Sequence, residues 1–187
     1  MHIEDYKPNI VQILFYPFLM VMNICKPNDK ERHKIVLYFT VLGLIKGYSM
    51  DAINFLINQS FLESKYGKSD LAKATCNVIG MRCVQQRNTT QIGCYTTPSN
   101  GDFGMYPTIY ACIQDRFIWG EYFNEPKTYP EIEELARNTY NWEEGQPYVD
   151  KINALPSQKW CAYIVLSTFP LSIFLIYKLY CYVVGTR

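Results

Sequence analysis

Apolar residues form unbroken runs near both ends of this chain, and between the ends they recur every three or four positions. The C-terminal run, residues 160–185 (WCAYIVLSTFPLSIFLIYKLYCYVVG), has 26 residues and a single charge, Lys178. A helix needs about 20 residues to cross a bilayer, so this run reads as a C-terminal transmembrane helix. Trp160 and Tyr163 at one end and Tyr177, Tyr180 and Tyr182 near the other sit where interface anchors belong. Lys178 can snorkel, and Pro170 kinks such a helix without excluding it. A buried helix of a larger complex is the competing reading. The N-terminal run, residues 10–24, is only 15 long and contains Pro17, which suits an interfacial or packing helix better than a second span. The flank before it, HIEDYKP, carries no positive bias and no small-residue cleavage site follows, so a cleaved signal peptide is not expected.

Between the ends the pattern is that of a packed helical domain. CKPNDKERHK, residues 25–34, reads as a solvated linker entering a helix that continues through IVLYFTVLGLIKG and stops at Gly47. Ser49 is placed to cap the next helix, Met50 to about Lys65, with Asp51 near its positive end. Ile53, Leu56, Ile57, Ser60 and Phe61 form its inward stripe. Asp70 to Thr75 makes a short helical turn. Residues 84–102 are polar and rich in Thr, Asn and Gly, which suits a hairpin or mobile lobe over a cleft. Helical periodicity returns over 106–123, where Ile109, Cys112, Ile113, Phe117 and Gly120 share a side. Residues 129–138 and 146–155 read as two further helices. No internal repeat or low-complexity segment interrupts the chain. The reading is a mainly α fold with at most a small β-hairpin: a hydrophobic N-terminal extension (1–29), a helical domain (30–156) and a C-terminal helix (157–187).

Composition narrows the function classes. Lys and Arg number 18 against 17 acids, and no basic patch stands out, so no nucleic-acid partner is expected. Aromatic residues make up 16% of the chain, 16 of them tyrosines, which suits a sugar-contacting cleft, a membrane interface or an ordinary core. Seven cysteines are present, but the spacing Cys76-x6-Cys83 with histidines only at positions 2 and 33 is a poor zinc pattern, and no metal or other cofactor is expected. Cys83 and Cys94 flank a polar segment that can fold back on itself. They are either a disulfide, in an oxidising compartment, or plain buried thiols.

One carboxylate is oddly placed. In QSFLESKYGKS, residues 59–69, Glu63 follows Phe61-Leu62 at the end of an apolar helix, where desolvation would favour its protonated form. A protonated carboxylic acid there can donate to a glycosidic oxygen. Periodicity alone equally allows a surface glutamate near a helix C-terminus.

SFLESKYGKSDLA closely resembles the motif of the bacterial and phage N-acetylglucosaminidase family that cuts peptidoglycan, the mannosyl-glycoprotein endo-beta-N-acetylglucosaminidase-like or flagellar-autolysin family. The resemblance implies a lysozyme-like helical domain with a small β-hairpin lobe. It makes Glu63 the match of the catalytic acid, Ser64 its substrate-side neighbour, and Tyr66-Gly67-Lys68-Ser69 the turn. Asn77-Val78-Ile79-Gly80-Met81-Arg82 is similar to the segment that lines the cleft below the acid, with Asn77 and Gly80 shaping its floor. Phe103-Gly104-Met105-Tyr106 and Ile113-Gln114-Asp115 resemble the passage from hairpin to helix, Asp115 being a structural hydrogen-bonding residue. Thr139-Tyr140, with Tyr148-Val149-Asp150-Lys151-Ile152 behind it, resembles the tyrosine loop and closing helix, which places Tyr140 beside the reacting sugar. Tyr95, Tyr106 and Trp142 are further candidates to stack on sugar faces or to serve as packing.

The second carboxylate of the usual pair is where the resemblance thins. The family's hairpin supplies it, yet VQQRNTTQIGCYTTPSNGD has no acid before Asp102. Asp102 takes the role, or Glu143 or Glu144 supplies it from the opposite wall, or the substrate's N-acetyl group does, or activity is lost. The implied function is hydrolysis of β-1,4 bonds between N-acetylglucosamine and N-acetylmuramic acid in bacterial peptidoglycan. Lytic transglycosylase or muramidase chemistry and an inactive glycan-binding or structural role are the alternatives. With the apolar tail, the expected location is membrane-associated and single-pass, in contact with the lipid bilayer and with other virion or membrane proteins. A membrane-containing virion or the bacterial envelope fits that placement, for local wall opening in phage entry or lysis.

Overall fold

The computed structural model describes residues 29–84, 86–98, 101–139 and 145–159 of the chain. The apolar runs at 10–24 and 160–185, and with them Tyr140, Trp142, Glu143 and Glu144, lie outside the described residues. Among the described residues no helix is long and apolar enough to cross a membrane.

The first helix, α1 (Lys30–Ile45), is buried on nearly every side from Ile35 to Phe39. A helix apolar all round belongs inside a fold. It packs against α2 (Met50–Ser64) and α4 (Ile109–Tyr122), with the Phe39 and Phe117 rings meeting edge-on at 5.8 Å. The chain leaves α1 through Lys46 and turns at Gly47 (φ +80), the expected stop. Ser49 then caps α2, its hydroxyl accepting the Ala52 amide at 3.2 Å.

All five residues of the expected α2 stripe are buried, but so are Asn58, Gln59 and Ser64. Periodicity alone does not anticipate this. Besides α1, α2 also meets α5 (Tyr129–Thr139) and α6 (Gly145–Asn153), and two of its buried polar residues are wired to α6. Asn58 donates to the Ile152 carbonyl at 3.3 Å, and Gln59 to the Tyr148 hydroxyl at 3.3 Å. The short α3 (Asp70–Thr75), capped by Ser69, matches the expected turn.

Of the polar segment 84–102, only its second half forms the hairpin. Strand β1 (Gly93–Thr97) pairs antiparallel with β2 (Gly101–Met105), with Tyr95 opposite Phe103 and Thr96 opposite Asp102. The lobe is fastened to the cleft segment: the Gly104 amide donates to the Met81 carbonyl at 2.9 Å, and Arg82 bridges to Phe103. Cys83 and Cys94 are joined as a disulfide, their Cα atoms 5.5 Å apart, within the range such a bond spans. Residues 86–92 instead fold onto α4 through Arg87, Thr90 and Gln91. All five residues of the expected α4 face, Ile109, Cys112, Ile113, Phe117 and Gly120, are buried.

Candidate active site

Glu63 stands in the last turn of α2, and the chain beyond it is unusual. Lys65, Tyr66 and Gly67 all take positive φ, at 51°, 60° and 79°, so the helix ends abruptly. Ser64 makes that end. Its hydroxyl donates to the Ser60 carbonyl at 2.6 Å and accepts the Gly67 amide at 2.8 Å, while its own carbonyl accepts from the Lys68 and Ser69 amides. A Cβ at Gly67 would fall 2.8 Å from Cβ of Glu31, so glycine is required for the turn to lie on α1. Ser64 is therefore a buried helix terminator and not the substrate contact that the motif suggested.

Glu63 itself is exposed, which corrects the expectation that apolar neighbours desolvate it. The inward face of α2 ends at Ser60, Phe61 and Ser64, and Glu63 lies at the edge of that face. What constrains it is a partner. The Tyr148 hydroxyl, carried by α6, donates to Oε1 of Glu63 and accepts from Gln59, one helical turn earlier on α2. Tyr148 is 7% exposed, so its ring is fixed by packing. The other oxygen, Oε2, would lie 3.5 Å from a Cβ at Gly80. Gly80 has φ +70, and its bare backbone leaves room beside the carboxyl.

Gly80 also lines a cleft of about 230 Å³. Phe55 and Gln59 of α2, Arg82, Trp119 and Arg116 of α4, and Leu135 of α5 enclose it, an apolar chamber with a few polar groups, as sugar and small-molecule sites tend to be. Asn77 builds its floor without facing it. The side-chain amide donates to the carbonyls of Met81 (2.8 Å) and Gly104 (3.0 Å), and its oxygen accepts the Met81 amide at 3.0 Å. Fully buried and internally satisfied, Asn77 holds the Gly80 turn and the hairpin together; it is a positioning residue, not a sugar ligand.

The other candidates divide clearly. Tyr106 is buried and its hydroxyl donates to Asp115 at 2.7 Å, so it is core and not a stacking surface. Tyr95 stands exposed on β1 and is open to a ligand. Asp102 is exposed on β2, accepting from Thr96 at 2.6 Å, and does not line the cleft. Among the described cleft residues the one carboxylate is Glu125, and it is occupied: Arg116 grips it at 2.8 and 2.5 Å, and the Tyr48 hydroxyl donates at 2.9 Å. Burial, followed by the negative charge of Glu125, pushes the Tyr48 phenol well above its ordinary value. Arg116 also lies 4.8 Å from the centre of the Trp119 ring, so this network fixes the aromatic wall.

Asp115 is a hydrogen-bonding anchor, as the motif implied. At 0% exposure it accepts a two-pronged grip from Arg87 at 2.7 and 3.0 Å, with Tyr106 and Gln91 adding donors. Burial would raise its pKa, but the hydrogen bonds from Arg87, Tyr106 and Thr89 outweigh it and hold the carboxyl below its usual range. Gln91 also donates to the Arg82 carbonyl at 2.9 Å and accepts the Val84 amide at 3.1 Å, so this anchor reaches the cleft rim. Among the described residues no cluster of metal-ligating side chains occurs.

Sequence reasoning missed Tyr148, Gln59 and Trp119. Tyr148 sits 85 positions from Glu63, and only the packing of α6 on α2 brings the two together. Trp119 falls between Phe117 and Gly120 of the expected α4 face but off its spacing, so periodicity gives it no place there.

Residues 42–159 match the family model described as mannosyl-glycoprotein endo-beta-N-acetylglucosaminidase. A solved structure, the catalytic domain of the autolysin Auto from Listeria monocytogenes, aligns over 90% of this chain and 89% of its own, at 15% identity and a TM-score of 0.35. No curated protein matches the chain.

Proposed function

Because the chain belongs to the mannosyl-glycoprotein endo-beta-N-acetylglucosaminidase family and is thus a glycoside hydrolase, we propose that it cleaves bacterial peptidoglycan at β-1,4 bonds between N-acetylglucosamine and N-acetylmuramic acid, with Glu63 as general acid. The observation that carries this reading is the placement of Glu63 at the edge of the Gly80 cleft, with one carboxyl oxygen held by Tyr148 and the other beside bare backbone. A carboxylic acid oriented in this way presents its other oxygen to a glycosidic oxygen and protonates the leaving group. Trp119 gives the cleft an apolar wall for a pyranose face.

A second reading has specific support. Glu125, the carboxylate lining the described cleft, has its charge taken up by Arg116 and Tyr48. It is in no position to serve as base or nucleophile. Positive charge at the anomeric carbon then falls to the substrate's own acetamido group, to Asp102 arriving from the hairpin, or to Glu143 or Glu144 beside Tyr140. An enzyme working with one acid can also release an anhydro sugar in place of adding water. Digestion of purified murein separates the readings. Reducing N-acetylglucosamine ends support the proposed hydrolysis, anhydromuramic ends a lytic transglycosylase, and reducing muramic ends a muramidase. An undigested substrate that nevertheless binds the protein supports a structural or glycan-binding role.

The apolar run at 160–185 supports anchoring through a single span, in a membrane-containing virion or the bacterial envelope, where wall opening is local to entry or lysis. Recovery of intact chain only in the soluble fraction of producing cells would overturn that placement.

A further inference from the structure

The Tyr148 hydroxyl meets two side chains of α2, Gln59 and Glu63, and has a single proton to give. Those side chains stand four residues apart on the helix, about one turn, so they leave it on the same side. The amide nitrogen of Gln59 lies 3.3 Å from the tyrosyl oxygen, and Oε1 of Glu63 bonds the same hydroxyl. With Tyr148 7% and Gln59 4% exposed, water competes little for the bond between them.

An amide NH2 group donates and does not accept. The tyrosyl oxygen therefore accepts from Gln59, which commits its own proton to Glu63. Oε1 is then the acceptor in the acid form as well as in the carboxylate, because a proton on Oε1 would meet the tyrosyl proton head-on. The proton of the acid form is left to Oε2, the oxygen beside the bare backbone of Gly80, which lines the cleft. A general acid transfers the proton that it holds within hydrogen-bond reach of the leaving group.

We propose that Gln59 is a positioning residue of the reaction: acting through Tyr148, it selects the cleft-side oxygen of Glu63 as the proton carrier. The inference rests on the reading of Glu63 as the general acid. Filling space does not account for an amide here, since a buried amide is costly unless it is bonded and an apolar side chain of the same length fills the same volume. Without the Gln59 donor the tyrosyl hydroxyl can turn and accept from a proton on Oε1. That isomer of the acid aims its proton at Tyr148 and has none to deliver to the glycan.

The test measures release of soluble fragments from purified murein, at varied substrate concentration, by the full chain and by Gln59→Met, Tyr148→Phe, their double variant and Glu63→Gln. Methionine keeps the length of the side chain and removes the donor. Circular dichroism checks each fold, and Gln59→Leu takes the place of Gln59→Met if the latter does not fold. Gln59→Met is expected to lower kcat by about 2- to 10-fold, the worth of one neutral hydrogen bond, with KM nearly unchanged. The double variant should be no slower than Tyr148→Phe alone, because Gln59 acts only through the hydroxyl. A raised KM at unchanged kcat makes Gln59 a sugar contact in the cleft it lines, and a loss that persists in the Tyr148→Phe background makes it a packing residue. Either result overturns the relay, as does wild-type turnover by Gln59→Met, and with Glu63→Gln inactive each leaves Glu63 standing as the acid. Wild-type turnover by Glu63→Gln removes the acid and the relay with it.

Discussion

Replacing Tyr148 with Phe removes one oxygen atom and keeps the ring that packs under α2. The lost groups are the donor to Glu63 and the acceptor for Gln59. A hydrogen bond to a neutral carboxylic acid contributes about 0.5–1.5 kcal/mol. Glu63 is exposed, so without Tyr148 its side chain is free to sample rotamers pointing away from the cleft. Spending that interaction on orientation predicts a fall in turnover of about 2- to 10-fold, at roughly 1.4 kcal/mol per factor of ten. Tyr148 does not line the cleft, so if glycan binds there the loss should fall on kcat and leave KM nearly unchanged. The assay is release of soluble fragments from purified murein at varied substrate concentration. Combining Tyr148→Phe with Glu63→Gln should cost little more than Glu63→Gln alone, because the tyrosine acts through the glutamate. A Tyr148→Phe enzyme with unchanged kcat, or losses that simply add, would refute the positioning role.

Three further outcomes follow from the packing. Asp115 is held below its ordinary pKa of 3.8 by Arg87 and its neighbours, so its contribution to stability is complete above that pH and is lost as pH falls through the lower folded-state value. In urea titrations from neutral to strongly acid pH, Arg87→Gln should lose about 3–5 kcal/mol at neutrality and show a flatter acid limb, whereas an unchanged limb would remove Asp115 from the account. Opening the Cys83–Cys94 link, which closes a loop with a sequence separation of 11, by a double Ser substitution should lower unfolding free energy by about 3 kcal/mol on chain-entropy grounds; wild-type stability in the variant would contradict a structural bond. Gly67→Ala should destabilise by more than about 1 kcal/mol, since it meets both the positive φ and the close approach of Glu31, and an unshifted melting temperature would show that the turn can move.

The helices were legible because the signals that make them are local. Ser49 before Met50 and Gly47 after the first apolar run set boundaries that the structure reproduces within a residue or two. The α4 face was equally readable from its spacing. What escaped is non-local. Ser64 and Asn77 sit in a motif that names them beside the acid, but nothing in a motif tells a side chain that touches sugar from one that holds the turn beneath it. Tyr106 looked like a stacking aromatic until Asp115 was found to take its hydroxyl. The apolar sequence neighbours of Glu63 predict desolvation, yet it lies exposed at the edge of the buried face of α2. Trp119 and Tyr148, contributed to the site by α4 and α6, become visible only when the helices are packed.

The central claim is that Glu63 is the proton donor of a peptidoglycan-cutting cleft. The most direct measurement is digestion of purified murein by the full chain and by its Glu63→Gln variant, with mass analysis of the new ends. Reducing N-acetylglucosamine ends are expected from the wild type, with a loss of about a hundredfold to ten-thousandfold in the folded variant, the usual contribution of a general acid. Equal digestion by the two proteins would contradict it.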